Sequence, residues 1–330
     1  MLLAPTERDI LTQLQRGVAI EEFPFANYRL PEGEVVSLLT RAREDGLMRR
    51  FGGVFDSRKL GYKSMLCAVA VQDADLEHTA AEVCKHPGVT HCYERRLSAR
   101  EQVYPLLWFT LAMPEAAFDA AVEALQVKIP VGEILQLPAL QRFKIEVVFD
   151  LRDVGTDEAY AQSGVEFQAD DAESVVLTRQ ERQLVRLLGG DLPVTQQPFQ
   201  AIADQVEMAV PALLEKLRYW KQQGVLRRIA PILYHREIGF TANGMCVWNV
   251  TGDVAAYGRR VAARPEVTHC YQRPRLQAFP FDLYAMIHAG SSEALHNIFA
   301  DISSACDLQE GVMLLSCREF KKSSMQYFGE

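Results

Sequence analysis

Two nine-residue stretches hold the side chains best suited to chemistry. They read Pro87-Gly-Val-Thr-His-Cys-Tyr-Glu-Arg95 and Pro265-Glu-Val-Thr-His-Cys-Tyr-Gln-Arg273, and seven of nine positions agree. Val, Thr and Tyr at this density favour a β-strand, on which alternate residues share a face. His91, Tyr93 and Arg95 therefore point one way, as do His269, Tyr271 and Arg273. Such a face can pass a proton near neutral pH while the guanidinium holds a carboxylate or a phosphate. A single copy reads equally as a polar outer strand or as a site. Two copies that keep His, Tyr and Arg together favour the site. Cys92 and Cys270 point to the other side, where a free cysteine behaves as a small hydrophobe.

A further strand, Phe279-Pro-Phe-Asp-Leu-Tyr-Ala-Met-Ile-His288, ends in another histidine, whereas its counterpart Tyr104 to Met113 has none. His269 and His288 are thus the leading acid/base candidates, with His91 as the repeat-equivalent third. His78, His86, His235 and His296 have no repeat partner and read as surface. Basic residues also recur. Arg49-Arg50 and Arg227-Arg228 begin corresponding segments, and Arg142, Lys144, Arg318, Lys321 and Lys322 close each half. Together with Arg273, Arg275 and Arg95 they suggest an anionic ligand with several carboxylates or phosphates, for which arginine is the preferred bidentate partner. GxGxxG, Walker and HExxH sequences are all lacking. The seven cysteines show no CxxC spacing, so neither a protein-bound metal nor a disulfide framework is expected.

The elements that carry these residues are repeated too. An offset of 178 takes Gly46, Arg49 and Arg50 onto Gly224, Arg227 and Arg228. Between the halves, Asp150 to Glu173 holds eight acids and one arginine, which accounts for most of the net charge of −8. The expected organisation is a winged helix-turn-helix over 1–60 and a ferredoxin-like βαββαβ unit over 61–149. An acidic linker follows over 150–175, and the same pair of units recurs over 176–238 and 239–330. The fold class is α+β, a tandem repeat in which the fusion sets two four-stranded sheets against each other as an intramolecular pseudo-dimer. Further homo-oligomerisation stays open. With 48% hydrophobic and 24% charged residues the chain reads as globular, and no apolar run reaches the roughly 20 residues of a membrane span. A cytoplasmic setting is expected, since no secretory signal is evident.

This order of units resembles the Lrp/AsnC transcription regulators, which implies DNA binding. Two features oppose that implication. The first half lacks about one helical turn between Phe25 and Pro31, where the scanning helix would lie. Glu32 and Glu34 open its candidate recognition helix, where they would repel phosphate. No specific nucleic-acid partner is expected.

Several motifs resemble siroheme decarboxylase more closely. They are Leu-Arg-Arg after the third helix, Val-Thr-His-Cys-Tyr-x-Arg-Pro, Phe-Pro-Phe-Asp-Leu-Tyr-Ala-Met-Ile-His and Cys-Arg-Glu-Phe-Lys-Lys, all read most fully in the second half. That family has an Lrp/AsnC-like fold and usually pairs two homologous subunits, which here resemble the two halves of one chain. The resemblance implies loss of CO₂ from two acetate side chains of siroheme, giving didecarboxysiroheme for heme d1 or an alternative route to heme b. It makes His269, His288 and His91 the acid/base candidates. Arg273, Arg275, Arg95, Arg227, Arg228, Arg49, Arg50, Arg318 and Lys321 become carboxylate anchors, and Tyr271 and Tyr93 ring contacts. It implies no cofactor beyond the iron carried by the substrate. An Lrp-type regulator and a non-catalytic heme sensor are the alternatives on this scaffold.

Overall fold

The computed structural model describes residues 3–97, 106–129, 132–145, 148–149, 151, 161–162, 173–234 and 241–329. Most of the acidic segment 150–175 lies outside them, as does His235. The first half runs α1 (Pro5–Leu14), α2 (Glu32–Glu44), β1 (Met48–Phe55), β2 (Tyr62–Val69), α3 (Asp73–Lys85) and β3 (Val89–Leu97). It continues with β4 (Leu107–Pro114), α4 (Phe118–Lys128), β5 (Ile134–Leu137), β6 (Gln141–Ile145) and β7 (Val148–Phe149). After β8 (Ala161–Gln162), the second half runs α5 (Arg179–Gly189), α6 (Pro198–Gln205), α7 (Val210–Gln222), β9 (Leu226–Leu233) and β10 (Ala242–Trp248). It ends with α8 (Val254–Ala262), β11 (Val267–Gln272), β12 (Leu283–Ala289), α9 (Ser292–Ala305) and β13 (Gly311–Lys322).

Local chemistry explains the boundaries. Thr178 caps α5 in a reciprocal capping box with Glu181, and Pro211 sits in the first turn of α7. Gly46 and Gly224 follow α2 and α7 at φ of 72° and 69°, a left-handed turn that suits glycine. Each turn delivers the chain into a wing strand, β1 or β9. The second half has three helices before its wing and the first has two, since residues 20–30 form only bends and turns. All five helices and both wing strands share one core, with Leu11, Leu38, Phe51, Leu184, Leu213 and Trp220 buried together.

The small hairpin expected in each wing is absent among the described residues. From Phe55 the chain turns within six residues into β2, so the first half has one wing strand, and β9 is the one wing strand among the described residues of the second. The two strands pair with each other, β1 antiparallel to β9, and tie the halves together. The ferredoxin-like sheets also depart from two separate layers. Their strands form one nine-stranded order, β5-β2-β4-β3-β13-β10-β12-β11-β6. The reason lies in the last strand of each half. β5 pairs with β2 of its own half, then the same segment crosses as β6 to β11 of the other. β13 makes the matching move, from β10 of its own half to β3 of the first.

The sheet therefore wraps around an internal core of Ala68, Trp108, Met245, Val247, Phe279, Tyr284 and Leu314. Helices α3 and α4 cover the outside of the first half through Leu76, Val83, Phe118 and Leu125. Helices α8 and α9 cover the second through Val261, Leu295 and Ile302. Phe143, carried by the crossing strand β6, is buried in that second core, 1% exposed. Gly258 makes the room, because a Cβ there would stand 2.2 Å from the Phe143 ring.

Candidate active site

The strands β3 and β11 place their polar faces on one shared cavity of about 620 Å³, bounded on its other side by the wings. His91, Tyr93 and Arg95 line it from the first half, and His269, Tyr271, Arg273 and His288 from the second. Arg49, Arg50, Arg227 and Arg228 reach it from β1 and β9, Arg142 from β6, and Lys322 from the end of β13. One cavity thus serves both halves. Cys92 and Cys270 are buried on the opposite face, against the helices.

The two motif strands repeat their geometry closely. The His91 and Tyr93 rings stack with centroids 6.2 Å apart, and His269 and Tyr271 repeat the same 6.2 Å. The Arg95 guanidinium lies 5.3 Å from the Tyr93 ring, and that of Arg273 lies 4.8 Å from Tyr271. Arg95 and Arg273 are only 7% and 9% exposed, yet neither meets a carboxylate among the described residues. Arg273 donates to the Leu137 carbonyl, while its Nε, like the Nε and Nη1 of Arg95, has no hydrogen-bond acceptor. Buried charges are normally paired. Two buried guanidinium groups without a counter-ion, facing one cavity, are built for an anion.

The histidines are held by threonines. Thr90 Oγ1 lies 3.0 Å from His91 Nδ1. In the second half Thr268 Oγ1 is 3.2 Å from His269 Nδ1 and 3.4 Å from His288 Nδ1, and it donates to the Met286 carbonyl at 3.1 Å. With its one proton on Met286, that hydroxyl accepts from both rings, which puts the neutral-ring protons on Nδ1. The first half lacks this pairing. Tyr93 faces Trp108 across β4 and Tyr271 faces Tyr284 across β12, so Ala112 occupies the position of His288.

Burial and the surrounding cations lower both motif histidines. His91 is pushed down to about 4, first by burial and then by Arg49 and Lys322. His269 also falls to about 4, through burial and then Arg227 and Arg228. Both rings are neutral at pH 7 in the ligand-free protein. Burial lowers Arg49, Arg142 and Arg273 as well, and takes Arg50 and Arg95 to about 10. They remain charged at neutral pH.

Three predicted anchors lie elsewhere. Arg275 pairs with Asp282 and donates to the Val250 carbonyl, which secures the loop before β12. Arg318 faces the helices and pairs with Glu77 and Glu94. Lys321 donates to the Cys84 and His86 carbonyls at the end of α3, and Lys144 repeats the contact with the Arg264 carbonyl after α8. Lysine at a helix C-terminus satisfies open carbonyls, so this repeat has a structural cause. Trp108, Asn243, Tyr284, Met325 and Tyr327 also line the cavity, beyond the residues expected from the sequence. Tyr284 shares a strand face with His288 at a spacing of four and was open to the same alternation rule. The C-terminal residues Met325 and Tyr327 carry no sequence signal for their place.

Comparison with known proteins places this geometry. The AsnC-like ligand binding domain matches residues 59–144 and 237–321, and the siroheme decarboxylase NirDL-like HTH domain matches 181–227. The siroheme decarboxylase of Hydrogenobacter thermophilus is 34% identical over 328 residues, covering 97% of this chain and 94% of its own. The chain belongs to the siroheme decarboxylase family. The siroheme decarboxylase beta subunit of Methanosarcina barkeri is 35% identical over 144 residues, 43% of this chain and 95% of its own. The crystal structure of the siroheme decarboxylase NirDL in co-complex with an iron-uroporphyrin III analogue superposes with a TM-score of 0.72 at 30% identity, covering 98% of this chain and 95% of that one. The fold is thus the family's fold, spanned here by a single polypeptide.

Proposed function

We propose that this chain binds siroheme in the shared cavity and removes CO₂ from two of its acetate side chains. The observation that carries the reading is the pair of buried arginines, Arg95 and Arg273, without counter-ions beside threonine-held histidines. Siroheme is a flat macrocycle bearing eight carboxylates. Such a ligand neutralises buried cations that the protein leaves unpaired, and it offers aromatic edges to Tyr93, Tyr271 and Trp108.

The chemistry needs little else. The bond between the acetate methylene and its carboxyl carbon breaks, CO₂ leaves, and the electron pair passes into the macrocycle. A proton then converts the methylene carbon to a methyl group. His269 and His288 supply that proton in the second half, and His91 is the equivalent donor in the first. The iron belongs to the substrate, and we assign no further cofactor. Arginine contacts to the remaining carboxylates hold the reacting acetate against a histidine, which converts binding into positioning.

Among the described residues no helix is long and apolar enough to cross a membrane. We place the enzyme in the cytoplasm, which suits its free cysteines. It acts as an intramolecular pseudo-dimer with no specific nucleic-acid partner. The reading is tested by anaerobic incubation with siroheme followed by mass analysis. Products lighter by one and then two CO₂ support it. Unchanged siroheme, bound to a folded protein across a range of pH, overturns it.

A further inference from the structure

In a cavity made of two equivalent halves, a flat polycarboxylate has two orientations related by the pseudo-twofold axis. Each orientation presents a different acetate to the His269/His288 pair. The residues that follow the two wing strands are one place where the halves differ in charge. Arg49 stands near His91 and Arg227 near His269, as their mutual electrostatic effects show. The position after each wing strand is equivalent too: the Asp56 amide donates to the Val225 carbonyl, and the Tyr234 amide donates to the matching Leu47 carbonyl, both at 2.9 Å.

Asp56 and Tyr234 are chemically unlike. Asp56 is 4% exposed. Its Oδ2 accepts from Arg227 Nη2 at 2.8 Å and from Arg58 Nη2 at 3.2 Å, and its Oδ1 from the Arg58 backbone at 3.1 Å and Arg58 Nε at 3.3 Å, so it is shared between two guanidinium groups. These cations hold its carboxyl well below the usual carboxylate range against the opposing effect of burial. Tyr234 offers Arg49 no carboxylate. Arg49 donates to the Ser324 hydroxyl at 3.1 Å; the Nε atoms of Arg49 and Arg227 alike have no acceptor among the described residues, so the Asp56 carboxylate is what separates the two. Among the described residues, one wing arginine therefore has a protein carboxylate and its twin has none.

We infer that Asp56 is a specificity-determining residue: by giving Arg227 a protein carboxylate, it directs the substrate's carboxylates to Arg49 and selects one orientation of the macrocycle. The inference rests on the siroheme reading above. The Asp56 carboxylate both occupies Arg227 and repels an incoming carboxylate, so selection has an attractive and a repulsive component.

The test uses the full chain as wild type, Asp56→Asn, Tyr234→Asp and the double variant. Binding is measured with an iron uroporphyrin, which needs no turnover. Single-turnover reactions with siroheme are quenched early, and the two monodecarboxylated regioisomers are separated. Tyr234→Asp should weaken binding by roughly tenfold or more, because Arg49 then has a counter-ion of its own. The double variant should reverse the regioisomer preference, and Asp56→Asn should reduce it. Wild-type affinity in Tyr234→Asp, or an unchanged isomer ratio in the double variant, would overturn the inference. Tyr234 is exposed, so its substitution reports even if Asp56→Asn fails to fold. A wild type that binds but never decarboxylates sinks the enzymatic reading, while the binding arm still decides the role of Asp56.

Discussion

At the residue scale, the site joins neutral histidines to unpaired buried cations. A histidine whose folded value lies below its unfolded value near ~6.5 binds fewer protons folded than unfolded in between. Both motif histidines sit at about 4, so the ligand-free protein should lose stability as pH falls from about 6.5 towards 4. An anionic macrocycle changes the sign of the local field and raises the rings. Siroheme binding should therefore take up protons and tighten as pH falls from 8 to 6, which calorimetry in buffers of different ionisation enthalpy would detect. Proton release on binding would contradict this. Arg95→Ala and Arg273→Ala should each weaken binding by roughly tenfold or more with smaller losses at saturation. The motif residues were legible because two copies sharing a face are hard to explain by burial alone. Arg318 and Lys321 were misread because repetition marks shared structure as well as shared function. A bulge between Glu319 and Lys321 also resets the alternation, so Lys322 faces the cavity and Lys321 the helix.

At the element scale, the crossing strands and the C-terminal tail assemble the cavity. β6 brings Arg142 beside Tyr271 of the other half, and Phe143 anchors it under Gly258. Gly258→Val should push Phe143 out, lower the melting temperature and reduce siroheme binding through displaced β11. Phe143→Ala should cost about 3–5 kcal/mol. The tail after β13 acts as a brace. Ser324 accepts from Arg49 at 3.1 Å and from Arg50 at 3.0 Å, and Tyr327 meets Tyr62 and Phe55 edge-on. Removing residues 324–330 should leave the sheet folded while weakening siroheme binding; unchanged affinity would show that the arginines need no brace. Helices, strands and the missing scanning helix follow from apolar spacing and the offset between repeats. The β1–β9 pairing and the strand crossings do not, because they join positions far apart in sequence that no local pattern links.

At the scale of the whole molecule, the two repeated halves share one sheet and one cavity. Among the described residues three ladders cross between them: β1 with β9, β3 with β13, and β6 with β11. Proteolysis within 150–175 should leave the halves together in size-exclusion chromatography at micromolar concentration, and clean separation would refute the shared sheet. The first-half helical unit offers Glu32 and Glu34 at the start of α2 and has no scanning helix, so a gel shift at low salt should show only weak, sequence-indifferent DNA association. The central claim is that histidines of one shared cavity deliver the proton while arginines hold the substrate. Its most direct test is the single-turnover rate of CO₂ loss from siroheme bound to His269→Ala, with occupancy read from the absorption spectrum of the same sample. Full occupancy with a rate lower by roughly 10²-fold or more is the expected result. Full occupancy with the wild-type rate would contradict it.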